Sequence, residues 1–230
     1  MSRGAIRSHT GMFADRKDAA VQLARALSAY RGRRPLVLAI PRGAVPMAQA
    51  IAAALDGEFD VVLVRKLPAP GNPEYAIGAI DETGWCYLGE HAAAAGASER
   101  YLEAEKAAQL ALMRRRRALY SASRPPIDPG GRVVIVVDDG LATGSTMIAA
   151  LHALRARGPE ELVCAVPVAP EETLAKVARF ADRVVCLRTP QDFYAVGQFY
   201  RDFPQVDDDE VIAILGRRPR AADPGSAGTS

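Results

Sequence analysis

The chain has 230 residues, 49% hydrophobic and 24% charged, with 29 Lys and Arg against 27 Asp and Glu, for a formal net charge of +2. That composition argues for a packed core rather than a disordered chain, and the near-neutral balance gives no electrostatic footprint for nucleic acid, so none is expected as a partner. No run approaches the roughly 18 apolar residues of a membrane span; the polar start, Met1–Thr10, lacks an apolar export signal, which makes the cytoplasm the expected location.

In chain order, residues 15–30 read as a helix, with Asp15 as its cap and Ala19, Ala20, Leu23, Ala24 and Leu27 as one apolar stripe. The run PLVLAI (35–40) reads as a buried strand, Pro41, Arg42 and Gly43 break it, and 44–55 resumes as a helix. DVVLVRK (60–66) reads as a second buried strand, followed by an irregular Gly/Pro loop over 67–72. Residues 75–88 fit two short strands around the turn Asp81-Glu82-Thr83-Gly84, with Trp85 in packing or at a sheet edge.

A long helix over 98–119 starts at a Ser98 cap and ends in Arg114–Arg117, read as a solvated run that favours a helix C-terminus. After a Pro/Gly loop over 121–131 comes the strongest strand, 132–137, then a turn and a helix over 145–157. Strands at 162–168 and 183–187 flank a helix at 171–180. The alternation predicts an α/β fold: a doubly wound, mostly parallel sheet with a small irregular hood or clasp. It is expected as one domain over 1–216, with the core at about 35–188, the hood or clasp at 190–211 and a disordered tail at 217–230. Cys86, Cys164 and Cys186 show no CxxC spacing and read as reduced thiols within apolar runs. His9, His91 and His152 show no metal-ligand spacing.

The chemistry-bearing stretch is VVIVVDDGLATGST (133–146). β-branched residues carry the chain to the carboxyl edge of the sheet, where open α/β sheets bind ligands. The turn through Ala142, Thr143 and Gly144 then aims backbone amides, a helix N-terminus and the hydroxyls of Thr143, Ser145 and Thr146 at one point, a natural phosphate cradle. Hydrogen bonds to a charged acceptor contribute roughly 1.5–3 kcal/mol each, so four or five hold a phosphate monoester. No lysine follows, which excludes a Walker loop. Asp138 and Asp139 repel that phosphate but can accept hydrogen bonds from a vicinal diol, so the pair and the cradle read together as a ribose 5-phosphate site. The bland alternative is a strand–turn–helix with surface acids.

Residues 134–146 resemble the signature of type I phosphoribosyltransferases, and the resemblance extends over about 35–187. It implies 5-phosphoribosyl 1-pyrophosphate (PRPP) as donor, Mg²⁺ as cofactor, a nitrogenous acceptor, pyrophosphate release and a homodimer. It implies ribose contacts for Asp138 and Asp139 and phosphate contacts for 142–146. The turn IPRGA (40–44) is similar to the family's pyrophosphate loop, with Arg42 as its cation and Pro41–Arg42 as the peptide to inspect for a cis bond. Arg65 and Lys66 resemble the Arg-Lys pair before the mobile loop of adenine and orotate enzymes, which makes 67–80 that loop and Glu74 and Tyr75 its candidates for proton handling or stacking. A solvated strand end is the alternative for Arg65 and Lys66.

The aromatic segment bearing Phe193, Tyr194, Phe199 and Tyr200 is either part of a hood that stacks on the acceptor base or a clasp packed on the core. The base-binding patterns of adenine, hypoxanthine, orotate and uracil enzymes are not closely matched. A regulatory protein that keeps the fold as a PRPP sensor is the rival reading, although no helix-turn-helix precedes Pro35.

Overall fold

The computed structural model describes residues 11–122 and 125–217, with Glu74 described by its backbone alone. Five parallel strands form the central sheet: β1 (Leu36–Ala39), β2 (Glu58–Val61), β6 (Val133–Val137), β7 (Glu161–Val168) and β8 (Arg183–Arg188), in the order β2-β1-β6-β7-β8. A second, antiparallel sheet is built from β3 (Val64–Ala69), β4 (Asn72–Asp81) and β5 (Cys86–Leu88). The helices are α1 (Arg16–Ala26), α2 (Val45–Ala54), α3 (Glu99–Tyr120), α4 (Ser145–Arg155), α5 (Glu171–Val177) and α6 (Asp208–Gly216).

The predicted α/β fold is the observed one. All five residues of β6 are buried. Val133, Ile135 and Val137 pack into the core layer holding α1, α2 and α6, while Val134 and Val136 pack into the layer holding α4. A sheet covered on both faces needs such an unbroken apolar strand. Each buried Val or Ile contributes roughly 1.5–3 kcal/mol.

The caps act as their residue types dictate. The Asp15 carboxylate accepts from the Asp18 amide at 2.7 Å, and the Ser98 hydroxyl accepts from the Tyr101 amide at 3.2 Å. Helix α1 stops at Ala26 and a 3-10 turn, Ser28–Tyr30, completes the predicted stretch.

Three expectations are corrected. The run 60–66 is not one strand: β2 ends at Val61 in the parallel sheet and β3 begins at Val64 in the antiparallel one. Val62, Leu63 and Val64 are buried across the switch, so the apolar pattern is continuous where the pairing changes. The stretch 67–72 is not an irregular loop: β3 and β4 form a hairpin, turned at Gly71 with φ +72°. Pro68 is accommodated at a register shift, where its missing N–H costs no ladder bond. The C-terminal part of 190–211 is helical from Asp208. Asp207 caps α6 through the Glu210 amide at 2.8 Å, and Val211, Ile214 and Leu215 form its buried stripe. Residues 1–10 with His9, and the tail beyond 217, lie outside the described residues. Among the described residues, no helix is long and apolar enough to cross a membrane.

Candidate active site

The chain leaves β1 toward β2 on one side and β6 toward β7 and β8 on the other. The strand order therefore reverses between β1 and β6, and such a switch point opens a crevice beyond the strand ends. Ala39 and Val137 are register partners there, and the Ile40 amide donates to the Val137 carbonyl at 3.0 Å. The turn through Pro41, Arg42 and Gly43 thus stands beside Asp138 and Asp139. The Pro41–Arg42 peptide is cis.

Asp138 uses one carboxylate oxygen to accept from the Asp139 amide at 2.9 Å. Burial, and then the Asp139 charge, push its carboxyl well above the usual carboxylate range. Burial raises Asp139 as well, against the pull of Arg16. Arg16 is a participant that sequence reasoning missed. From the first turn of α1 its Nε and Nη2 both reach Asp139 Oδ2 at 2.9 Å, its Nη1 donates to the Pro204 carbonyl at 2.5 Å, and its guanidinium lies 3.7 Å from the centroid of the Phe203 ring. A side chain at the start of an amphipathic helix carries no local mark of a partner 123 residues away.

Gly43 is packed against this pair. A Cβ there would overlap Asp139 Oδ2 and crowd the Arg16 guanidinium. The glycine lets the backbone of one loop touch the carboxylate of the next.

The turn into α4, read from sequence as a phosphate cradle, has the expected geometry. Gly144 takes φ +77° as the N-cap of α4, and the Thr143 and Ser145 hydroxyls lie 3.1 Å apart. Thr146 lies in the first turn of α4, whose early amides have no intrahelical acceptor. Ala142 is fixed from behind by Thr173, whose hydroxyl donates to its carbonyl at 2.6 Å. Ala142, Thr143 and Ser145 line a cavity of about 340 Å³ together with Tyr75, Tyr87, Glu90 and Lys176.

Arg65 and Lys66 leave β3 on opposite faces, as neighbours in a strand must. The Lys66 charge acts on Asp138 and Asp139, pulling both carboxyls downward. Arg65 turns to α3 and donates to Gln109; burial, then the Arg116 charge, push its pKa down. The solvated reading of the arginine run holds for Arg114 and Arg115, which are exposed, but not for its end. Arg116 pairs with Asp208 at 3.3 Å and Arg117 pairs with Glu82.

The aromatic segment is a clasp in its packing. The Phe13 amide donates to the Phe199 carbonyl at 2.7 Å and the Arg201 amide to the Phe13 carbonyl at 2.9 Å. Phe193 and Phe199 pack ring to ring at 5.2 Å. Tyr200 is buried, and its hydroxyl donates to the Asp139 carbonyl at 2.6 Å. Tyr194 is 88% exposed. Among the described residues, Tyr75 and Tyr87 of the antiparallel sheet line the cavity beside the cradle. The Glu74 side chain lies outside the described residues.

The family model described as phosphoribosyl transferase domain matches residues 2–204. A Mycobacterium tuberculosis (strain H37Rv) protein, provisionally named a phosphoribosyl transferase, is 44% identical over 215 residues, 91% of this chain and 47% of the relative. The chain thus spans about half the length of the curated relatives it matches. The crystal structure of TT1426 from Thermus thermophilus superposes with a TM-score of 0.75 at 46% identity, covering 89% of this chain and 98% of that one.

Proposed function

Since the chain belongs to the phosphoribosyl transferase domain family, we propose that it transfers the 5-phosphoribosyl group of PRPP to a nitrogenous acceptor and releases pyrophosphate. The observation that carries this reading is the switch-point crevice, where one loop offers two adjacent carboxylates, the next offers Arg42, and a helix N-terminus ringed with hydroxyls lies alongside. That arrangement suits a vicinal diol, a diphosphate and a monophosphate on one small ligand.

In this reading the amides of 142–146 hold the 5-phosphate and the two carboxylates hold the ribose hydroxyls. As the bond from C1 to pyrophosphate loosens, negative charge gathers on the leaving group and positive charge on the ribosyl carbon. Arg42 and Arg65 stabilise the first, while the field of Asp138 and Asp139 favours the second. Arg16 holds Asp139 in one orientation, so the carboxylate is preorganised rather than recruited. In this reading the β3–β4 hairpin, bearing Lys66 and Tyr75, screens the reacting carbon from water.

Among the described residues no three His, Cys, Asp or Glu side chains converge as a metal cage. Mg²⁺ fits all the same, because it keeps waters and binds through one or two carboxylates plus substrate oxygens. Asp138 is the carboxyl beside which a cation would offset burial and the Asp139 charge. Bound there with the donor, Mg²⁺ would supply charge neutralisation to the pyrophosphate.

The test is pyrophosphate release from PRPP and Mg²⁺ with a panel of purines and pyrimidines. Release with one base, lost in the Asp138→Asn/Asp139→Asn double variant while the fold is retained, is the expected result. PRPP binding without release for any base would indicate a sensor instead.

A further inference from the structure

We infer that Arg116 is a third guanidinium of the pyrophosphate subsite, and that Asp208 is an internal carboxylate which holds this subsite closed until a diphosphate displaces it. The inference rests on the proposed function and adds two residues that neither the phosphate cradle nor the ribose acids contain.

Three elements far apart in sequence deliver the cluster: Arg42 from the turn after β1, Arg116 from the last turns of α3 and Asp208 from the first turn of α6. Arg42 Nη1 and Arg116 Nη2 both approach the same oxygen, Asp208 Oδ2, at 3.8 and 3.3 Å, and the Tyr120 hydroxyl donates to Oδ1. The Arg42 contact is too long for a hydrogen bond, so its donors stay available to a better acceptor.

Arg65 completes the group, since its guanidinium feels the charges of Arg116, Arg42 and Asp208. Two guanidiniums thus contact Asp208 directly, and Arg65, which donates to Gln109, lies close enough to feel their charges. Like charges gathered this closely at a partly buried site repel unless an anion sits among them. One carboxylate supplies a single negative charge, whereas a diphosphate supplies several and presents oxygens that match the guanidinium fork.

Asp208 therefore behaves as a placeholder. It carries one charge, is held by Tyr120, and leaves one arginine only loosely engaged. Arg116 was read from sequence as part of a solvated run because four consecutive arginines point around the helix. Only the crossing of α3 over α6 selects Arg116 for the cluster.

The experiment titrates inorganic pyrophosphate and, separately, ribose 5-phosphate into the full chain, Arg116→Gln, Arg116→Lys and Asp208→Asn by calorimetry, with melting curves as a fold control. Arg116→Gln is expected to weaken pyrophosphate about tenfold, the loss of one charge-assisted contact, and Arg116→Lys to recover part of it. Asp208→Asn, which can still accept from Tyr120, is expected to tighten pyrophosphate by a factor of about three to ten. Ribose 5-phosphate affinity should not respond to any of the three. If ribose 5-phosphate binds but pyrophosphate affinity ignores Arg116 and Asp208, the inference fails while the proposed function stands. Binding of neither ligand to the parent chain would overturn both.

Discussion

Asp138 illustrates how a side chain suited to a ligand can be costly to the free protein. Its carboxyl is driven well above the ordinary range, first by burial and then by Asp139. A carboxyl raised on folding favours the folded state while protonated. That contribution is fully present below the unfolded value of about 3.9 and is lost as pH climbs through the raised value. Asp138→Asn stays neutral and can still accept the Asp139 amide. It should melt above the parent at about pH 8, with the gap closing toward about pH 4; an equal gap at both ends would mean that the titration is misassigned. Gly43→Ala should displace Asp139 from Arg16 and cost about 1–3 kcal/mol as an overpacked contact, read from urea unfolding. An unchanged midpoint would show that the loops do not touch in solution. The placement of the two acids, the turn into α4 and Arg42 at one sheet edge was legible because each lies within a short strand–turn–helix stretch. Arg16 and Arg116 were not, because their partners come from distant parts of the chain.

The antiparallel sheet shares an apolar core with α4, and the buried acid Asp81 adds a polar tie between them. Asp81 has no exposed surface. Its Oδ1 accepts from the Thr83 amide at 2.8 Å, the Thr83 hydroxyl at 2.5 Å and the Trp85 amide at 3.2 Å, and His152 Nδ1 of α4 lies 3.5 Å from Oδ2. Trp85 stacks on His152 with ring centroids 3.6 Å apart. Asp81→Ala would leave buried donors without an acceptor and should cost about 3 kcal/mol, lowering the urea midpoint without changing its slope. A loss under about 0.5 kcal/mol would mean that water replaces the carboxylate. The turn at 81–84 could be read directly from its residues. The boundary between β2 and β3 could not, because burial alone sets an apolar pattern and burial persists while the pairing partner changes.

Across the whole molecule, the clasp ties the start of the described chain to the segment that precedes α6. Phe13 is fully buried, pairs with Tyr200 in an isolated bridge, and has the Arg188 guanidinium 3.5 Å from its ring centroid. Phe13→Ala should cost about 3–5 kcal/mol as a cavity in the core, measured by thermal unfolding. Because Tyr200 also donates to the Asp139 carbonyl, the same variant should weaken PRPP binding; unchanged affinity would separate the clasp from the site. The parallel architecture was legible because strands and helices alternate at regular intervals. The clasp was legible only as one of two alternatives to be weighed, since its partner, Phe13, is a single residue ahead of the first helix. On the proposed function, the crevice between β1 and β6 holds a phosphoribosyl donor. Calorimetric titration of PRPP with Mg²⁺ into the parent chain and into Asp138→Asn/Asp139→Asn tests it most directly. One site per chain that disappears in the folded double variant is the expected result; absence of binding, or equal affinity in both proteins, would contradict it.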